Sequence, residues 1–348
     1  MSTKTIDFHA HHIGVDAVER IRDEGAGHGV RLVTDQAATR IEVAGRPSGQ
    51  PLFPRLSDVE ARLSWMDAER IDVQLVSSWM DLAGYDLDGP DGAWFARVQN
   101  DSVAALAAAH PDRFRASATV PLQRPDLAVR ELRRAVTDLG HEAVQIGARV
   151  NDLGLDDESL DVFWDAVEEF GIPVTVHPGG SDVPERLRRL FLNNLVGNPS
   201  ETTFAAAAFL LGGVLERHPR LRVMLVHGGG FVPYQIGRLD RGFVAAPPAV
   251  RPRGAFGPRL LLDRLYFDTV VHDDGALRYL LDFAGPDHVV LGSDYPFAMG
   301  LDHPVGALDA AGLDRPEREA VLRGAGLLGE VSGASRSIPS APPLRARG

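Results

Sequence analysis

The feature that most constrains the fold of this chain is a series of short apolar segments, rich in Val, Ile and Leu and bounded by turn residues. Eight of them are predicted to be strands: 5–9, 72–78, 115–122, 142–148, 172–177, 222–227, 265–270 and 288–295. Several are apolar through most of their length instead of alternating with polar residues. This pattern is typical of parallel strands that are covered on both faces.

Helix-like segments lie between these strands, at 57–69, 126–138, 157–170 and 200–216. The first begins with a Ser57-x-x-Glu60 capping box, and the others repeat apolar residues at a spacing of three to four. Eight strands alternating with helices favour an α/β fold of the closed (β/α)8 type, a TIM barrel. An open doubly wound sheet is the alternative that this alternation also fits.

Two segments fit no strand–helix unit. Residues 13–54 are rich in Gly and Thr and contain possible short strands at 30–34 and 40–44, so they are predicted to be an insertion over the barrel mouth. Residues 329–348 mix Ser, Pro, Arg and Gly with almost no apolar pattern and are predicted to be a disordered tail. The barrel domain is therefore expected to span 1–328.

The composition limits the partners and the chemistry. A formal net charge of −12 argues against nucleic acid and anionic membranes, and favours a small-molecule ligand. No apolar run approaches the roughly 20 residues that span a bilayer, and no leader pattern is present at the start, so we expect a cytoplasmic protein. The chain has no cysteine, so any metal must be held by histidine and carboxylate.

Polar residues stand where several predicted strands end. His9 and His11 end the first strand, His177 the fifth, His227 the sixth and Asp294 the eighth. Active sites of such barrels lie at the carboxyl ends of the strands, where the loops converge. Residues i and i+2 of a strand point to the same face, so His9 and His11 can share one ion.

Each residue also has an ordinary structural interpretation, since a histidine at a strand end is usually a hydrogen-bonded loop residue and Asp294 can cap a helix. Their joint placement on separate strands is hard to obtain by chance. It predicts one divalent ion bound by His9, His11, His177 and Asp294. Such ligands suit zinc, and also manganese or iron, and leave a position open for water or substrate.

His227 is followed by Gly228-Gly229-Gly230, which allows the backbone to approach the site closely. A neutral histidine beside a bound ion is suited to take a proton from metal-bound water, so we predict that His227 is the general base and then the acid. The alternatives are a fifth ligand and a residue that hydrogen-bonds a ligand.

These residues, with their neighbours, resemble the amidohydrolase superfamily and, more closely, the α-amino-β-carboxymuconate-ε-semialdehyde decarboxylase family with its aromatic-acid decarboxylase relatives. The resemblance runs from residue 6 to about 328. It rests on these motifs: Ile6-Asp7-Phe8-His9-Ala10-His11, Val120-Pro121-Leu122-Gln123, Gln145-Ile146-Gly147, Val176-His177-Pro178, Pro199-x-Glu201-Thr202, His227-Gly228-Gly229-Gly230 and Leu291-Gly292-Ser293-Asp294-Tyr295-Pro296.

The resemblance implies that the four ligands bind zinc or manganese, with zinc favoured, and that His227 is the catalytic acid/base. It implies decarboxylation without oxidation or hydrolysis: a proton reaches the carbon that bears the carboxylate, and carbon dioxide leaves. No organic cofactor is expected. The predicted strand 142–148 contains no lysine to bridge a second ion, so one metal is favoured over two.

The family also implies how the substrate is held. Two arginines clamp substrate carboxylates there, one of them donated by the neighbouring subunit, so we expect a homodimer. Gly237-Arg238 matches the donated arginine, with a surface or interface salt bridge as the alternative. Arg46 is the nearest candidate for the other arginine, although its spacing differs. His12 is expected to be a neighbour of the site. The remaining candidates for pocket contacts are Trp79, Tyr85, His272 and Phe297.

The favoured function is therefore decarboxylation of an unsaturated or aromatic carboxylic acid. A metal-dependent hydrolase or hydratase acting on a small ester, lactone, amide or alkene uses the same residues and stays open. A binding or regulatory protein without catalysis is disfavoured because ligands and base are all present. A serine hydrolase is excluded, since the chain has no Gly-x-Ser-x-Gly elbow.

Overall fold

A computed structural model of the chain describes residues 4–35, 38–180, 183–324 and 326–328, and the predicted disordered tail lies outside these residues. The strands, numbered along the chain, are β1 (Ile6–His11), β2 (Val30–Asp35), β3 (Ala38–Val43), β4 (Arg46–Pro47), β5 (Val73–Ser77), β6 (Phe114–Ala118), β7 (Ala143–Gly147), β8 (Val174–His177), β9 (Val223–Leu225), β10 (Leu265–Asp268) and β11 (Val289–Val290).

Helices follow most of these strands, and short 3-10 turns join many of the elements. The α-helices of the described residues are α1 (Val15–Glu24), α2 (Val59–Ala68), α3 (Gly89–Ala109), α4 (Pro125–Thr137), α5 (Asp161–Phe170), α6 (Asn198–Leu211), α7 (Val214–Arg217), α8 (Val232–Ala245), α9 (Asp274–Ala284), α10 (Pro304–Ala310) and α11 (Arg315–Arg323).

Eight of the strands form a closed barrel. They are hydrogen-bonded in the order β1-β5-β6-β7-β8-β9-β10-β11, and every neighbouring pair is parallel. The ring closes where the amide of Phe8 donates to the carbonyl of Leu291 at 2.8 Å and that of His11 donates to Tyr295 at 2.7 Å. The predicted (β/α)8 TIM barrel is confirmed.

Both faces of the barrel sheet are buried, which explains why its strands are apolar along most of their length. Alternate residues of the strands, such as Val144 and Phe267, pack in the large layer between the sheet and the outer helices. A smaller cluster receives one residue from each of six strands and fills the barrel interior: Phe8, Leu75, Ala143, Met224, Tyr266 and Val290.

The insertion predicted after β1 contains a three-stranded sheet, β2-β3-β4, that is separate from the barrel sheet. Strands β2 and β3 pair antiparallel, with Val30 opposite Val43, so the two predicted short strands are confirmed. The core of the insertion packs on Trp79 and Phe95. Helix α1 is not predicted by the sequence pattern, because only Ala17 and Ile21 of this charged segment are buried and the apolar stripe is too narrow to recognise.

Several local predictions are wrong. Asp58, not Ser57, caps α2, and its side chain accepts the amide of Ala61. The helix predicted at 200–216 is interrupted at Gly212 and Gly213 and forms α6 and α7. Gly213 has φ 77°, a value that a residue with a side chain rarely adopts.

The long helix α3 is not predicted either, and β11 is shorter than the predicted segment 288–295. No helix in the described ranges is both long enough and apolar enough to cross a lipid bilayer. The domain boundary at 328 and the cytoplasmic location stay predictions.

Candidate active site

Three histidines from two strands of the barrel meet at its carboxyl end. The ring centroids of His9 and His11 on β1 are 5.1 Å apart, and His177 at the end of β8 lies 5.1 Å from the first and 4.9 Å from the second. The Nε2 atoms of His9 and His11 are 3.1 Å apart. All three side chains are buried, and the strand ends bring them close together.

Asp294 joins this group from the segment that follows β11. Its Oδ1 lies 3.4 Å from Nε2 of His9 and 3.2 Å from Nε2 of His11. Its backbone, with φ 56°, is held by donation of its amide to the carbonyl of His9 at 2.7 Å. A Cβ at Gly292 would lie 3.0 Å from Cβ of His9 and 2.8 Å from Cβ of Asp268, so glycine permits this close approach.

The Nδ1 atom of each of the three histidines has a hydrogen-bond partner in the protein. Nδ1 of His9 lies 2.6 Å from Oδ2 of Asp268, Nδ1 of His11 lies 3.1 Å from the carbonyl of Ser78, and Nδ1 of His177 lies 2.5 Å from the carbonyl of Pro178. Each partner is an acceptor, so Nδ1 carries the proton and donates. The lone pair of each Nε2 is then available to a metal ion.

The residues present fit a divalent cation. Nε2 of His177 and Oδ1 of Asp294 are buried without a hydrogen-bond partner in the described part of the chain, and such atoms are costly unless something satisfies them. Burial lowers the pKa of His11 and of His177. Burial raises the pKa of Asp294, but His9 and the other histidines outweigh burial and hold this pKa well below its usual value. Neutral imidazoles and an ionised carboxylate are the metal-binding forms.

Asp268 is a residue of this site that the sequence prediction missed. It ends β10, and its Oδ1 accepts the amide of Gly228 at 2.8 Å while Oδ2 accepts Nδ1 of His9. Burial opposes protonation of His9, but the carboxylates of Asp294 and Asp268 outweigh it and raise the pKa of His9. The rule that found Asp294, an acidic residue at a barrel-strand end, could have found Asp268.

Asp7 was also missed, although it belongs to the motif around His9. Its carboxylate accepts the amide of His9 at 3.1 Å, the amide and hydroxyl of Ser293 at 3.0 and 2.6 Å, and the side chain of Gln74 at 2.8 Å. Burial raises the pKa of Asp7, against these hydrogen bonds. Asp7 therefore ties the backbone of His9 to the segment that carries Asp294.

His227 stands at the edge of the same group. Its ring centroid lies 5.5 Å from that of His9 and 5.2 Å from that of His177, and its Nε2 lies 3.8 Å from Oδ2 of Asp294. The ligand atoms of these four residues lie within 4.8 Å of one another. This geometry fits an acid/base and a further ligand alike, so the role of His227 stays a prediction.

A cavity of about 260 Å³, the metal cavity, opens onto the candidate metal centre and is lined by His177, His227 and Asp294. Trp79 and Phe297 also line it, at the positions predicted for them. The ring of Phe297 packs on His11 with centroids 5.4 Å apart and on Trp79 at 5.5 Å. The site therefore has an aromatic wall beside its polar floor.

Five other residues named in the sequence analysis do not line this cavity. Arg46 and Tyr85 line a neighbouring cavity of about 270 Å³; Arg46 is ion-paired to Asp86 at 3.2 Å, and the buried hydroxyl of Tyr85 accepts the amide of Gly147 at 3.1 Å. His272 is exposed, as is Arg238 on α8. His12 is buried and lies outside the cavity lining; burial lowers its pKa to about 3.

Comparison with known proteins identifies the family. The sequence profile of the amidohydrolase family matches residues 6–325 of this chain. The chain belongs to the amidohydrolase family. The resemblance expected from the histidine and aspartate motifs is thereby confirmed.

Individual amidohydrolase relatives are decarboxylases. The chain is 35% identical over 243 residues, 70% of its own length and 68% of the other, to 2-amino-3-carboxymuconate-6-semialdehyde decarboxylase of Dictyostelium discoideum. It is similar to the crystal structure of 5-carboxyvanillate decarboxylase from Sphingomonas paucimobilis, with TM-score 0.77 and 28% identity over 93% of this chain and 98% of that one.

A third relative shares the fold at lower identity. The structure of a Polaromonas dihydroxybenzoic acid decarboxylase, with bound manganese and the inhibitor 2-nitroresorcinol, has a TM-score of 0.74 and 20% identity, and the match covers 93% of this chain and 96% of that one. Its similarity to this chain concerns the barrel fold.

Proposed function

We propose that this amidohydrolase is a metal-dependent, non-oxidative decarboxylase that acts on an aromatic or unsaturated carboxylic acid. The observation that carries this proposal is the convergence of three Nε2 atoms and Oδ1 of Asp294, with His227 beside them in an open cavity. The decarboxylase relatives support the type of reaction.

His9, His11, His177 and Asp294 would hold a single divalent ion. Three imidazoles and one carboxylate favour zinc, with manganese as the alternative. The bound ion would supply positive charge that attracts carboxylate and hydroxyl oxygens of the substrate. Asp268, Ser78 and Pro178 keep the three imidazoles in the tautomer that presents Nε2.

His227 would move the proton. In its protonated form it donates to the substrate carbon that bears the carboxylate, and a carbon–hydrogen bond forms. The bond to the carboxylate then breaks, its electron pair returns to the unsaturated skeleton, and carbon dioxide leaves. The imidazole is partly exposed to the cavity, so it can regain a proton from solvent before the next turnover.

The remaining contacts would select and orient the substrate. Trp79 and Phe297 offer flat apolar surfaces for a planar ring or conjugated chain. Arg238 does not line the cavity of its own chain but lies exposed on α8, beside Tyr234 with 82% exposure. This placement supports a homodimer in which Arg238 of one subunit binds a substrate carboxylate in the other.

The test is a screen of metal-free protein and of protein reloaded with zinc or manganese. Hydroxybenzoates and carboxymuconate-type semialdehydes are offered, and released carbon dioxide is measured beside the appearance of new titratable acid. We expect metal-dependent carbon dioxide. New acid from esters, lactones or amides without carbon dioxide would establish the hydrolase alternative and contradict the proposal.

A further inference from the structure

Arg149 is the only arginine or lysine among the described residues that line the metal cavity. It also lines the neighbouring cavity, whereas His177, His227 and Asp294 line the metal cavity alone. Arg149 therefore lies where the two cavities meet. A substrate that reaches from the metal centre toward the second cavity passes its guanidinium.

The backbone around Arg149 is fixed on both sides. The amide of Gly147 donates to the hydroxyl of Tyr85 at 3.1 Å, and the side chain of Asn151 donates to the carbonyl of Tyr85 at 3.0 Å. Val150 is fully buried and pairs with Leu153. The loop after β7 thus presents Arg149 from an ordered position, which lowers the entropic cost of binding a ligand.

The guanidinium of Arg149 has binding capacity to spare. Nη1 donates to the carbonyl of Asn151 at 3.0 Å, and Nε lies 3.6 Å from Oε2 of Glu201, which also lines the metal cavity. Nη2 takes part in no hydrogen bond with the described residues. An ion pair of this length between side chains that are 37% and 38% exposed is weak, so a ligand carboxylate can replace Glu201 at little cost.

We infer that Arg149 binds a second anionic group of the substrate, one that the reaction does not remove. The substrate class is then a dicarboxylic acid: one carboxylate lies at the metal centre and departs, and the other pairs with Arg149. This inference rests on the proposed decarboxylation for the assignment of the departing group. A guanidinium can hold the retained carboxylate through two parallel hydrogen bonds.

The experiment measures binding by titration calorimetry with zinc-loaded protein. The probes are benzoate and isophthalate, which differ by one carboxylate. We expect the wild-type protein to bind isophthalate more tightly by roughly tenfold or more, the usual scale of a charged hydrogen-bonded pair. Arg149→Gln should lose most of this preference, and Arg149→Lys should lose less of it.

Arg130→Gln is the matched control. Arg130 is an exposed arginine on α4 paired to one carboxylate, Asp126 at 2.9 Å, and it lines neither cavity. The inference is overturned if wild-type protein does not prefer isophthalate, if Arg149→Gln keeps the preference, or if Arg130→Gln loses it equally. Binding is measured without turnover. If Arg149→Gln loses the preference but the protein releases carbon dioxide from no acid, the proposed reaction is contradicted and the inference about Arg149 stands.

Discussion

Asp268 connects His9 with the turn that follows His227. Its Oδ2 lies 2.6 Å from Nδ1 of His9, and its Oδ1 accepts the amide of Gly228, the residue after His227. Burial alone would favour the protonated acid, but the hydrogen bond and the charge of His9 lower the pKa of Asp268 and keep it ionised. One carboxylate therefore orients the imidazole of His9 and the turn that carries His227.

Replacing Asp268 by asparagine should weaken metal binding. The amide has no negative charge to stabilise His9, and it can present its NH2 group to Nδ1 and so favour the wrong tautomer. We expect zinc affinity to fall roughly 10- to 100-fold, measured by competition with a chromogenic chelator. Asp263→Asn, at an exposed position, is the control. Equal affinity in Asp268→Asn and wild-type protein would contradict the assigned role.

Comparison of His11→Ala with His227→Ala should distinguish a metal ligand from a proton donor. His11 has a buried Nε2 between His9 and Asp294, so its removal should abolish stoichiometric zinc. His227→Ala should keep one zinc per chain but lose turnover by about 10²–10⁴-fold. Metal analysis after gel filtration and carbon dioxide release are the two readouts. If His227→Ala purified without metal, His227 would be a ligand.

The convergence of the candidate metal ligands could be predicted from sequence, because barrel topology brings the carboxyl ends of the strands together. Residues at the carboxyl ends of barrel strands lie around one opening, so His9 and His177 were expected to converge there, and Asp294 was expected to join them from the eighth strand. The eight apolar segments of the barrel were recognisable for a related reason. Burial on both faces leaves a strong signal in the sequence.

The arginine of the cavity could not be predicted in this way, although the positions of Trp79 and Phe297 in its lining were. Arg46, chosen from its proximity in sequence to the expected position, pairs with Asp86 in the second cavity, while Arg149 reaches the metal cavity from the β7 loop. Which loop residue faces the cavity depends on turns such as Asn151, with φ 53°, and on tertiary contacts such as Tyr85. Sequence periodicity carries no information about these.

Mixed dimers should show whether Arg238 acts across a subunit interface. Arg238→Ala alone should raise KM, and His227→Ala alone should lose turnover, with the dimer intact in both. When the two variants are unfolded and refolded together, a site with intact His227 can receive the intact Arg238 of the other chain. We expect carbon dioxide release to recover in the mixture. No recovery, despite mixed dimers in native mass spectrometry, would place Arg238 outside the site.

His141 should make stability depend on pH. It is buried far from the metal centre, its Nε2 lies 3.2 Å from the carbonyl of Asn100, and burial lowers its pKa to about 4. An unfolded histidine has a pKa of about 6.5, so between these values the unfolded chain binds more protons. The contribution of neutral His141 to the free energy of unfolding is complete above pH 6.5. It is lost as pH falls toward 4, by roughly 3 kcal/mol in total.

His141→Gln should therefore flatten the fall in unfolding free energy between pH 6.5 and 4, because glutamine can donate to Asn100 without taking up a proton. Urea denaturation of metal-free protein at several pH values in this window measures the slope. His303→Gln, with a side chain that is 79% exposed, should leave the slope of wild-type protein unchanged. Parallel curves for His141→Gln and wild-type protein would show that His141 takes up its proton equally in both states.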